Sequence, residues 1–87
     1  MAQMLSEIVR EKLDVGMLPS DEPLKLWAGR GSGKRCAACA QPILPSQTEY
    51  EPQYYDQRPS IFFHVGCHAL WETQRRRGRD AKTRLLQ

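Results

Sequence analysis

The sequence predicts a small α+β fold with a helix ahead of it. Three observations predict it: apolar residues at helical spacing near the N-terminus, an aromatic stretch that alternates and turns back on itself after residue 47, and a second helical stripe after residue 65. The 87 residues are 26% charged and include 6 Gly and 6 Pro, which leaves room for one domain with a small core. A domain of that size generally needs a staple in the form of disulfides, a metal or a partner chain.

The first segment, residues 1–17, reads as an amphipathic helix over about residues 3–15. Met4, Leu5, Ile8, Val9 and Leu13 form its stripe, with Glu7, Arg10, Glu11 and Asp14 between them, and Gly16 and Pro19 mark its end. The stripe must cover either the rest of the domain or a partner. Residues 18–35 read as a linker, because Pro19, Pro23, Gly29, Gly31 and Gly33 interrupt any regular element. Leu24, Leu26 and Trp27 are expected to pin this linker to the domain.

The end of the linker, Ala28 to Arg35, has a Gly-Lys pair at Gly33 and Lys34 that invites comparison with a phosphate-binding loop. Arg35 stands where Ser or Thr must hold magnesium, Ala28 stands where the first Gly is needed, and no apolar strand precedes it. A flexible basic loop is the better reading. From Gln47 to Asp56 the chain alternates loosely around Tyr50, Tyr54 and Tyr55, and Ile61, Phe62, Phe63 and Val65 supply a second short strand. Cys67, Leu70, Trp71 and Gln74 then share one helix face, so a helix is expected over about 66–77, fraying or restarting after Gly78 in a basic tail over residues 78–87.

Charge is uneven. Residues 1–34 balance, whereas the last sixteen carry Arg75, Arg76, Arg77, Arg79, Lys82 and Arg84 against Glu72 and Asp80. Such an end attracts anions, nucleic acid among them, or is simply a solvated helix end.

The three cysteines cannot close a disulfide framework, nothing at the start reads as a secretory leader, and no stretch approaches the roughly 18 apolar residues of a membrane span. A soluble, cytoplasmic chain with reduced thiols is expected, and clustered thiols there point to metal or redox chemistry. Cys36 and Cys39 sit two residues apart, as do His64 and Cys67. Each pair can bring both side chains to a common point, and zinc favours four tetrahedral thiolate and imidazole ligands. The candidate ligands are therefore Cys36, Cys39, His64 and Cys67 around one structural Zn2+. Cys67 would leave the first helical turn, where the helix dipole favours a thiolate. Lys34 and Arg35 could offset the excess negative charge of three thiolates. Four protein ligands leave no open position, so the site is structural and not catalytic.

Haem attachment fails because Ala40, not His, follows Cys39, and a dithiol redox site lacks a βαβ setting. His68 would point about 100° away from Cys67 around the helix. It is read as a surface residue or a hydrogen-bond donor behind the ligands, with replacement of His64 as the alternative.

Cys36-x-x-Cys39, then Ile43, a tyrosine-bearing hairpin, and Phe63-His64-x-x-Cys67-x-x-x-Trp71 resemble the first zinc site of LIM domains and, more broadly, a treble clef of zinc knuckle, hairpin and helix. The layout is also similar to that of small bacterial zinc-binding proteins with an N-terminal helix and a Gly-rich linker. The resemblance covers about residues 34–75 and implies a zinc-binding module over residues 36–77. The second zinc site of LIM domains has no counterpart here. The expected function is a non-catalytic protein-interaction module with a protein partner. The alternative is nucleic-acid binding through the Arg-rich end, with Tyr54 and Tyr55 stacking on bases. Neither a membrane nor a small-molecule substrate is expected.

Overall fold

In the computed structural model, residues 4–85 are described, with side chains through residue 78. The elements in chain order are α1 (Leu5–Asp14), β1 (Lys25–Arg30), β2 (Thr48–Gln53), β3 (Phe63–His64) and α2 (Val65–Leu85).

Helix α1 forms where the stripe predicted it. Glu7 in its first turn and Lys12 in its last suit the helix dipole. It ends in a Schellman motif: Gly16, at φ 81°, donates to Leu13 O, and Met17 donates to Lys12 O. Val9 is fully buried, and Leu5 and Leu13 pack beside it. The stripe therefore covers the chain's own core. Met4 lies at the helix start and is exposed.

The stretch 18–35 is not a linker throughout. Residues 25–30 form β1, which pairs antiparallel with β2 from Lys25↔Gln53 to Arg30↔Thr48. Glycine and proline conceal this strand in the sequence, because its identity comes from β2 and not from its own composition. The ladder continues past β1, where Gly31 N–H donates to Gln47 O and Gly33 N–H to Ile43 O. Gly31 is required there, since a Cβ would lie 2.0 Å from Leu44 O. Residues 25–53 thus make one long hairpin with Cys36–Cys39 near its tip.

The sheet order is β1-β2-β3. The expected tyrosine hairpin pairs only at Glu49↔His64 and Tyr50↔Phe63, so its second strand has two residues. The loop between is held by Arg58, whose guanidinium meets Asp21 at 3.0 Å and also pairs with Asp56.

Helix α2 begins directly after His64 and runs through Gly78 to Leu85, beyond the expected end near residue 77. One glycine costs a helix about 1 kcal/mol, too little to stop it here. The core is small: Trp71, Phe63, Leu18, Ile43 and Val9 are the largest fully buried side chains. Trp71 stacks on Phe63 with ring centroids 5.0 Å apart and donates its indole N–H to Pro19 O at 3.0 Å. Arg10 fastens α1 to α2 by donating to Gln74 O at 2.7 Å and Gln74 Oε1 at 2.8 Å.

Candidate metal centre

Each ligand pair is set by local backbone chemistry. The segment before Cys36 returns on itself as Arg35 bridges Pro42 and Ile43 N–H donates to Lys34 O. Between them, Ala40 N–H donates to Cys36 O and Cys36 N–H to Gln41 O. This turn forces Ala40 to φ 64°, a left-handed conformation that disfavours any residue with a Cβ. Ala37 N–H donates to Phe62 O at 2.7 Å, which ties the turn to the strand that carries His64. Cys67 follows three residues later in the first turn of α2.

The four ligand atoms of Cys36, Cys39, His64 and Cys67 all lie within 4.8 Å of one another. His64 Nδ1 is 3.4 Å from Cys39 Sγ and 3.9 Å from Cys67 Sγ. Tetrahedral bonds of about 2.3 Å to sulfur and 2.0–2.1 Å to nitrogen would put S and N about 3.6 Å apart. The two distances bracket that value, and the donor set suits a thiophilic divalent cation. On the far side of the ring, His64 Nε2 lies 3.2 Å from Pro42 O. A carbonyl can only accept, so Nε2 carries the proton and Nδ1 turns its lone pair to the sulfurs.

Burial pushes the Cys36 thiol up, but the backbone amides of Cys39, His64 and Ala38 and the His64 ring together outweigh it and bring it down to about 7. Cys67 moves the other way from the sequence expectation. Burial and the neighbouring Cys36 and Cys39 thiols hold it well above the ordinary thiol range, and the helix dipole does not overcome them. A bound cation would remove this repulsion, since coordinating thiols are deprotonated outright.

Lys34 and Arg35 stand beside the turn, and their partners are other than the sulfurs they were expected to offset. The Lys34 ammonium lies 4.0 Å over the Phe62 ring, and Arg35 donates to Ala40 O at 2.9 Å. The cation that sequence reasoning missed is Lys12 of α1, which donates to both Ala37 O and Ala38 O at 3.0 Å. No spacing rule identifies it, because it acts on backbone atoms.

His68 is neither a ligand nor a surface residue. It is largely buried, edge-on to Tyr50 at 5.0 Å and beside Phe63 and Trp71. Burial holds its pKa below the ordinary histidine value.

Among the described residues, Arg75 does not share a surface with Arg76 and Arg77. The Arg75 side chain is buried, lies 5.1 Å over Trp71 and donates to Glu72 at 2.6 Å, so it is withdrawn from nucleic-acid contact. Its position was legible in the i, i+4, i+8 spacing of Cys67, Trp71 and Arg75. Arg76 is exposed and pairs with Glu72 at 3.0 Å, and Arg77 is exposed. The side chains of Arg79, Lys82 and Arg84 lie outside the described residues.

Tyr55 is 88% exposed, whereas Tyr54 donates to Asp21 O and carries Arg58 over its ring at 3.9 Å. That ring face is already taken. No described helix is long and apolar enough to cross a membrane. No protein-family model, curated protein or solved structure matches the chain.

Proposed function

We propose that this chain is a small zinc-binding protein whose Cys3His centre is structural and whose working parts are non-catalytic protein-contact surfaces. The observation that carries the reading is the convergence of Cys36, Cys39, His64 and Cys67, with His64 Nδ1 turned inward by Pro42 O. Four protein ligands give zinc a complete tetrahedron, leaving no place for the water that hydrolytic catalysis needs. The order of Cys-x-x-Cys turn, hairpin and helix with Cys67 in its first turn supports a treble-clef arrangement.

In such a small core, metal binding contributes folding free energy. The nucleic-acid alternative loses Arg75 to the core and the Tyr54 ring face to Arg58.

Elemental analysis of the purified chain tests the centre. One zinc per chain is expected, lost in Cys67→Ser together with the folded circular dichroism signal. A metal-free chain with unchanged spectrum and stability would overturn the structural role.

A further inference from the structure

Strand β1 is poorly accounted for by the packing around it. All six of its residues are exposed, and among the described residues it touches β2 and no other helix or strand. It stands at the sheet edge, yet Leu26 is 41% and Trp27 53% exposed there. An unprotected edge is a template for another strand.

The backbone groups that face outward can be identified. Gly31 N–H donates to Gln47 O at 2.9 Å, one step beyond the Arg30↔Thr48 pair. Hydrogen-bonded pairs alternate along an antiparallel ladder. Trp27 and Gly29 therefore bond to β2, and Leu26, Ala28 and Arg30 turn their N–H and C=O away from it. Pro52, which has no N–H, stands opposite Leu26, where this alternation requires no donor toward β1.

We infer that this edge pairs antiparallel with the same edge of a second copy, about a two-fold axis through Ala28. In this register all three outward-facing residues find partners. Ala28 pairs with Ala28 of the second copy, and each Leu26 pairs with the other copy's Arg30. Trp27 then lies across from Gly29 of the second copy at a close, non-hydrogen-bonded position, where an aromatic ring can cover the bare glycine.

Lys25 falls opposite Gly31 of the second copy, with Gly29 as its diagonal neighbour on the same face. Neither glycine has a side chain to obstruct it, and the next residue across that face is Glu49, the β2 partner of Gly29. Lys25, which in the single chain lies 4.6 Å over its own Trp27 ring, can swing toward Glu49 of the second copy. Glu49 Oε1 accepts from Ser32, which leaves Oε2 for the ammonium, and no like charges stand opposite one another. Such self-complementarity is what a two-fold interface requires.

The inference goes beyond the proposed module by naming a second copy as its partner, and it does not depend on the identity of the metal. Sedimentation or light scattering of the metal-loaded full chain across the micromolar range tests it. The expected mass is twice 10.0 kDa. Ala28→Pro removes an outward N–H and leaves the β1–β2 ladder whole, so it should return the mass to 10.0 kDa with zinc content and circular dichroism unchanged.

Leu26→Arg and Leu26→Glu fix the register, because each faces Arg30 of the second copy. At low salt the first should weaken the dimer and the second tighten it, by about two- to thirtyfold over the two symmetric pairs. They also decide the matter if Ala28→Pro fails to fold. A monomeric wild type, a folded Ala28→Pro dimer, or equal shifts from the two Leu26 variants would each overturn the inference. A monomer that holds one zinc leaves the metal reading standing, and a dimer without metal does the reverse.

Discussion

The ammonium group of Lys12 in α1 donates to the carbonyl of Ala38, between Cys36 and Cys39 in the turn of the candidate metal centre, at 3.0 Å. It makes the same bond to Ala37 O. The N-terminal helix therefore supports the ligand loop as well as covering the core. Replacing Lys12 by Met keeps the length of the side chain and removes the donor. Groups that position metal ligands typically contribute 10–100-fold in affinity. Lys12→Met is expected to lower zinc affinity by about tenfold in a chelator competition while one zinc per chain still binds.

Proton release should accompany metal binding. Cys67 is protonated in the ligand cluster by itself, because burial and two neighbouring thiols oppose its ionisation, while Cys36 sits near 7. The metal needs all its cysteine ligands as thiolates. The metal-free form thus binds more protons than the metal-loaded form, so affinity must fall as pH falls. Titration calorimetry in buffers of different ionisation enthalpy should show a net release near neutrality that shrinks as pH rises through about 7, when Cys36 gives up its proton beforehand.

Ala40 offers a gain of stability. Its φ of 64° costs a residue with a Cβ roughly 1–2 kcal/mol, and glycine does not bear that cost. Ala40→Gly is expected to raise the denaturant midpoint of the metal-loaded protein by an amount worth about 1 kcal/mol, offset in part by the greater freedom of glycine in the unfolded chain. Gly31→Ala should do the opposite, since its Cβ meets backbone and not a movable side chain. Loss of the folded signal is the expected result.

Glu72 accepts from the buried Arg75, and the Arg75 Nε has no partner of its own. Removing one partner of a buried pair leaves an uncompensated charge, typically at a cost of about 3–5 kcal/mol, whereas removing the charge itself costs less. Glu72 is partly exposed, so the lower end of that range applies. Glu72→Gln is therefore expected to destabilise the protein more than Arg75→Met does, as read by chemical unfolding at neutral pH.

The convergence of Cys36, Cys39, His64 and Cys67 was legible in the sequence because the paired spacing that chelation would demand is not disguised by composition. Helix α1 was legible because its stripe meets its own core. Strand β1 was not, since Gly29 and the flanking Pro23 and Gly31 signal a loop locally and the strand exists only by pairing with β2. The length of α2 was misjudged at Gly78, where the cost of one glycine is smaller than the cooperativity of a helix already anchored by Cys67 and Trp71. Arg75 was assigned to solvent on charge alone, although its helical phase matched that of Trp71.

The clasp between Arg10 and Gln74 spans 64 positions of sequence. On the ribosome, α1 must therefore wait until α2 has been made before it can be secured. Until α2 has emerged, Val9 and Leu13 lack part of the core they pack into, and α1 presents its oily side to whatever is nearby.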